Sequence, residues 1–470
     1  MMEGIHARTR GPKLEVRSCT LDVRRSRLST HCAVVLLVLG MILALAVPAQ
    51  AAYETGGVVK TILSNGLTIL VRPEPEARVA AVEIFVRVGA ADENASNPGI
   101  GQLLAGSILA GTETRSAVKL ARLVSEVGGN FHAVWQWNYL EVYAVTVPEM
   151  CEETISLLAD SIRNSKLDTP AVEYSRSAIL KGAKRQEGDP FSCAYAALRR
   201  RVHRGSIYDR PYLGDPEKVK ILSRQQLKEF YERNFSADRI VVSVVGNVDA
   251  RRVTRKIEVC FGNMARGTAR SIGTETLPAG TGEITIEKPG SATYITLGYP
   301  APGVEDPDYP AMCVANVLLG GSKSSLLFRN LREERGLGYH VGSLYPALRG
   351  QSHIAAYLGM DSSRATPAAL SAVRMAMVEQ VGTLRAGGFA DNDLERAKRF
   401  LIGKHALRHE RTRDRAHYLG WYEAMGLGYQ YDFQYANKIK RVTREDVERV
   451  CDWFLKEPAV VVLSGARSEG

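Results

Sequence analysis

Past residue 52 the chain alternates between two kinds of apolar pattern. Short β-prone runs come first: 61–71 places an Asn65-Gly66 pair between β-prone segments, a hairpin signal, and 79–88 continues with alternating apolar positions. Helical periodicity follows over 151–165 and 171–186. The order then repeats, with β-prone runs at 282–286 and 292–297 and helical patterns at 368–386 and 391–407. Strands grouped ahead of helices predict an α+β fold in two halves, each a mainly antiparallel sheet with helices packed on one face.

The two halves carry the same closing unit. Ser223 is placed to cap a helix running through Tyr231, followed by a β-rich run over 240–245 that ends at Gly246. Thr443 is placed to cap a helix through Phe454, followed by a run over 460–463 that ends near Gly465. The spacing of 220 residues between the caps is too long for a solenoid and points to domain duplication. Residues 265–283 are rich in Gly, Thr, Ser and Ala, hold Pro278, and read as the linker. The expected organisation is a leader at 1–51, a first domain at 52–264, the linker at 265–283 and a second domain at 284–470.

The leader has its own logic. Arg24, Arg25 and Arg27 precede an uncharged apolar run of 15 residues, 33–47, and then Pro48 and Ala49-Gln50-Ala51. A basic region, an apolar region and a small-x-small site, in that order, predict a secretory signal cleaved near Ala51 or Ala52. The run is short for a bilayer span of about 20 residues. The expected location is therefore the periplasm, or the membrane surface if the signal is retained. The leader before the run is long, which fits a start downstream of Met1 or a twin-arginine route through Arg24-Arg25. Residues 1–51 hold seven Lys/Arg and three Asp/Glu, so the formal charge of +10 falls to +6 on cleavage.

The remaining composition is that of a globular protein, 45% hydrophobic and 24% charged over 470 residues, enough for two or more domains. The densest basic run, Arg199-Arg200-Arg201-Val202-His203-Arg204, reads as a solvated helix face or a partner contact. Nucleic acid is not an expected partner of an exported chain. Of seven cysteines, five lie past the leader, isolated and odd in number, so a disulfide framework is not expected.

Three segments carry candidate chemistry. Residues 324–341 read S-S-L-L-F-R-N-L-R-E-E-R-G-L-G-Y-H-V. Residues 88–101 run from Val88-Gly89-Ala90 to Gly101, and 128–143 from Gly128-Gly129 to Tyr143. Together they resemble the insulinase/pitrilysin family of zinc metallopeptidases, in particular the short-subunit branch that includes mitochondrial processing peptidase. The match at 324–341, to S-S-x-L-F-x-x-x-R-E-x-R-G-x-x-Y, is long and specific. The resemblance spans roughly 55–465. It implies two homologous halves forming half of a clam-like chamber.

Active members carry H-x-x-E-H on a helix: two His one turn apart bind zinc, the Glu is the general base, and a Glu on a later helix is the third ligand. Here Gln102 and Gly106 stand at the two histidine positions and Ala105 at the base. The third ligand falls at Lys181, or at Gly182 if the alignment slips by one. None of these side chains replaces imidazole or carboxylate, and Lys181 adds positive charge. The expectation is that this chain binds no zinc there.

The resemblance also implies that Arg335 and Tyr339 bind peptide and stabilise an oxyanion across the cleft, as a guanidinium and a phenol are suited to do. The strand holding His132, Ala133 and Trp135 is implied to hold an extended peptide by main-chain pairing. Trp135 and Trp137 are two apart, so they either line that groove or fill the core. His405 and His409 are four apart on a predicted helix, with His417 expected two turns further along the same face. Arg408 and Arg411 crowd them, and the favoured reading is ordinary histidines rather than a metal site.

These readings converge on a non-catalytic subunit of an exported heterodimeric zinc peptidase. Its partner would be a homologous chain bearing H-x-x-E-H and the zinc. The alternative is an inactive peptide-binding or assembly protein with no such partner.

Overall fold

The computed structural model describes residues 55–267, 281–454 and 457–466. The expected signal segment and residues 268–280 of the expected linker lie outside the described residues. Among the described residues, no helix is long and apolar enough to cross a membrane.

Two sheets carry the fold. The strands of the first are β1 (Val59–Ile62), β2 (Thr68–Pro73), β3 (Ala80–Val86), β4 (His132–Trp135), β5 (Leu140–Thr146) and β6 (Ile240–Gly246). They lie in the order β1-β2-β6-β3-β5-β4. The second sheet holds β7 (Gly282–Pro289), β8 (Ala292–Ala301), β9 (His340–Leu344), β10 (Ser352–Asp361) and β11 (Ala459–Ala466), in the order β7-β11-β8-β10-β9. The Asn65-Gly66 turn joins β1 to β2 as expected, with Gly66 at φ 90° and Val59 opposite Val71.

The pairing pattern is duplicated. In the first sheet β2 lies parallel to β6, and β6–β3, β3–β5 and β5–β4 are antiparallel. In the second β7 lies parallel to β11, and β11–β8, β8–β10 and β10–β9 are antiparallel. Only β1 lacks a counterpart among the described residues. The capping boxes match as well: Ser223 with Gln226, and Thr443 with Asp446. The second of these helices is shorter than the pattern promised, ending at Val450 before a 3-10 turn over Cys451–Phe454.

Each half's own helices cover one face of its sheet. The opposite face is covered by a helix from the other half. Helix Pro190–Val202 puts Leu198 and Val202 onto the second sheet, among Ala355, Ala459 and Val461. The approach is close: a Cβ at Gly298 on β8 would lie 2.5 Å from Val202. Reciprocally, helix Thr412–Ala424 packs Ala416 and Leu419 against Phe85, Ala81 and Val241 of the first sheet. There a Cβ at Gly420 would lie 2.6 Å from the Phe85 ring. Both helices are 13 residues long. This exchange explains why β3, β6 and β8 are buried on both faces and read as apolar runs.

The basic run at 199–204 needs correcting. Arg199 is buried; its guanidinium donates to the carbonyl oxygens of Tyr208 and Arg210 and stacks on Trp137 at 4.5 Å. His203 is buried too, because this end of the helix is wedged between the halves. The five cysteines past the leader are free.

Candidate functional site

The helix that holds the expected degenerate zinc-site positions Gln102, Ala105 and Gly106 is Ile100–Ser107. Glu93 organises its start: the buried carboxylate accepts from the backbone N–H of Gly99 at 2.7 Å and of Gly101 at 3.1 Å. Burial nevertheless pushes its pKa up to about 7. On the helix, the Gln102 side chain donates to the Tyr212 carbonyl at 3.4 Å. Gly106 faces Ser175 of helix Thr169–Gly188, and a Cβ there would lie 2.1 Å from Ser175 Oγ. The Ser175 hydroxyl donates to the Leu103 carbonyl at 3.3 Å. The two helices have closed where a second histidine would project.

The later helix offers no replacement ligand. Lys181 is exposed. Gly182, seven residues and about two turns beyond Ser175, is half-buried, and a Cβ there would lie 3.8 Å from Leu213. Two clusters of potential ligand atoms occur among the described residues, and neither includes this helix pair. Gln102, Ala105, Gly106 and Lys181 do not fit zinc.

Strand β4 runs along the edge of the first sheet. His132 is exposed and stacks on Tyr143 with ring centroids 4.8 Å apart, and Ala133 is half-buried. Trp135 corrects the groove expectation. Its ring is 2% exposed and lies under Gly101, where a Cβ would sit 1.9 Å from it. It is a core residue that fills the space left by the helix glycine. Trp137 lies beyond the strand end, against Tyr208, Tyr212 and Arg199.

The signature at 324–341 takes an unusual backbone. Phe328–Glu334 winds as a π-helix, as does Val317–Gly321 before it, a geometry frequent at functional sites. Gly336 at φ 59° then turns the chain into β9, the edge strand of the second sheet. Arg335 points outward and pairs with Glu379 at 3.0 Å, not with Glu333 or Glu334. Tyr339 is 51% exposed. An exposed pair of this kind is worth about 0–1 kcal/mol, so Arg335 is free to turn toward another anion.

Sequence reasoning missed a buried charge cluster where helix Thr412–Ala424 meets the first sheet. Arg413 Nε lies 3.0 Å from Glu83 Oε1, and its Nη2 donates to Glu141 at 2.7 Å. His417 Nδ1 lies 2.8 Å from the same Glu141 oxygen. Burial, then the Glu141 charge, hold the Glu83 pKa well above the usual carboxylate range. Burial opposes the Glu141 carboxylate, but His417 and Arg413 outweigh it and hold its pKa low. The two acids are thus pushed in opposite directions by their surroundings. The available signal was a single Glu inside each of two apolar strands.

His405 and His409 also depart from expectation. The helix Asp391–Arg408 ends before His409, and His417 belongs to the next helix and faces Glu141 instead. Both remaining histidines turn to Asp432.

Comparison with known proteins places these features. The model described as "Insulinase (Peptidase family M16)" matches residues 68–213, and that described as "Peptidase M16 inactive domain" matches 222–401. The chain belongs to the insulinase, or M16, family. Among M16 relatives, an uncharacterized zinc protease of Streptomyces coelicolor is 27% identical over 421 residues, covering 87% of this chain and 90% of its own. The uncharacterized zinc protease YmxG of Bacillus subtilis is 25% identical over 402 residues, covering 85% and 96%. A protease from Helicobacter pylori shares the fold with a TM-score of 0.79 at 19% identity, covering 87% of this chain and 99% of its own. An M16 inactive domain from Pseudomonas fluorescens does so at 0.76 and 20%, covering 86% and 97%. This M16 chain thus keeps the two-sheet fold, and its helix Ile100–Ser107 carries no imidazole, thiol or carboxylate.

Proposed function

We propose that this chain is the non-catalytic subunit of an exported two-chain zinc peptidase. It supplies Arg335 and Tyr339 to a site whose zinc is held by a homologous partner bearing H-x-x-E-H. One observation carries the reading: the two parts of the family's machinery have met opposite fates in one molecule. At the zinc helix the ligands are gone and Ser175 occupies the space beside Gly106. In the second half the whole signature persists, with Arg335 and Tyr339 presented to solvent.

A guanidinium and a phenol donate to the oxygen that becomes negative as a peptide carbonyl is attacked, and they act on the transition state more than on the bound peptide. The zinc in the partner would polarise the carbonyl and activate water. Export is part of the proposal: the basic, apolar and small-x-small order of the leader supports a periplasmic complex.

The test mixes this chain with a zinc-bearing M16 partner from the same cell and follows peptide cleavage. Arg335→Ala with Tyr339→Phe is expected to lower kcat by about 10²–10³ with a small change in KM. Equal activity of wild type and double variant would sink the assignment.

A further inference from the structure

We propose that His405, His409 and Asp432 form a zinc(II) site, separate from the degenerate helix, that clips the end of helix Asp391–Arg408 to helix Gln430–Arg441. His405 Nε2 and His409 Nε2 converge on one oxygen, Asp432 Oδ1, at 3.1 and 2.8 Å. The ligand atoms of the three residues all lie within 4.8 Å of one another. Around a tetrahedral zinc with bonds of about 2.0–2.1 Å, neighbouring ligand atoms stand roughly 3.3 Å apart. These two spacings need to open by about half an ångström at most to admit the ion.

The surroundings hold the ligands in that pose. His409 Nδ1 lies 2.7 Å from the His405 carbonyl oxygen, the outer bond that orients a metal-binding imidazole with Nε2 toward the ion. Tyr435 stacks on the His405 ring at 4.4 Å, and Tyr418 on the His409 ring at 4.9 Å. Asp432 is 6% exposed, so its carboxylate has little water to lose. His405 also forms part of the wall of a cavity of about 400 Å³ shared with Tyr418 and Tyr435, which gives an ion a way in.

Nearby cations do not occupy the position. Arg72 pairs with Glu74 at 3.3 Å, Arg415 pairs with Glu74 at 2.7 Å, and Arg408 lies against the Tyr418 hydroxyl. Two imidazoles and one carboxylate suit zinc among the divalent ions, with water as the fourth ligand. The three ligands come from both helices, so the ion would tie them together. The clip is a property of this chain alone and stands whether or not a zinc-bearing partner exists.

The test uses the full chain stripped of metal, titrated with zinc chloride by calorimetry and with cobalt(II) by visible absorption. The expected result is one zinc per chain, a cobalt spectrum with four-coordinate intensity, and a higher melting temperature with zinc. His409→Gln and Asp432→Asn are each expected to weaken binding by about 100-fold or more, beyond the loss of an outer-sphere partner. Gln102→Ala with Lys181→Ala is expected to change nothing. Should the ligand variants fail to fold, His405→Cys keeps a ligand and must add a thiolate-to-cobalt absorption band. Absence of binding by the folded wild type overturns the proposal. So does undiminished binding by folded Asp432→Asn and His409→Gln, or a folded His405→Cys without the new band.

Discussion

At the scale of single residues, the buried acids between the halves have distinct jobs. Burial and the Glu141 charge raise the Glu83 pKa, while His417 and Arg413 hold that of Glu141 low. Glu83→Gln keeps the shape of a protonated acid and is expected to stay within about 1 kcal/mol of wild type in denaturant unfolding. Glu141→Gln removes the carboxylate that Arg413 and His417 share and is expected to cost more, about 2–3 kcal/mol. Equal losses would contradict this difference between the two acids.

A second residue-scale prediction concerns acid. Tyr195 Oη lies 3.0 Å from His353 Nε2, and His353 Nδ1 lies 2.8 Å from His203 Nε2, a chain that neutral imidazoles satisfy by passing one donor along it. Burial pushes the His203 pKa down to about 3 and that of His353 well below its ordinary value. Unfolded, both rings titrate near 6.5. Protons therefore favour the unfolded chain, and stability is lost as pH falls below about 6.5, continuing to about pH 3 for His203, by about 1.4 kcal/mol per pH unit for each ring. His203→Gln with His353→Gln should flatten that slope in urea melts between pH 6.5 and 4. An unchanged slope contradicts it.

At the scale of elements, helix Ile100–Ser107 is shaped by what it lost. Gly101 admits the Trp135 ring and Gly106 admits Ser175, so the helix sits closer to its neighbours than a histidine-bearing one would. Gly106→Ala is expected to destabilise by about 1–3 kcal/mol through overpacking, and adding Ser175→Gly should recover part of it, as read from melting curves. Elements of this kind were legible from sequence to different depths. Apolar alternation and the caps at Ser223 and Thr443 located strands and helices within a few residues. The missing ligands could be read by position. Which face a tryptophan takes could not: Trp135 and Trp137 are two apart, yet one ends a strand over a glycine and the other leaves the sheet altogether.

At the scale of the molecule, the repeat of 220 residues was visible, but the helix exchange was not. Periodicity shows that a helix has an apolar face; it does not say which sheet will cover it. The buried Arg199, Glu83 and Glu141 are all products of that exchange, and all looked like solvated or ordinary residues along the chain. Because each sheet borrows a helix, the halves are expected to unfold together, with one calorimetric transition over the described region. Two separated transitions would contradict the reciprocal packing.

On the proposed function, this chain works through a zinc-bearing partner. The measurement that tests it most directly is capture of the tagged mature protein from its native envelope fraction, followed by identification of bound chains and assay of peptide cleavage. A stoichiometric M16 chain bearing H-x-x-E-H is expected, with chelator-sensitive cleavage. The Arg335→Ala, Tyr339→Phe form is expected to capture the same partner with cleavage reduced by about 10² or more. Recovery of this chain with no zinc-bearing homologue, or of a complex whose cleavage ignores both residues, would contradict it.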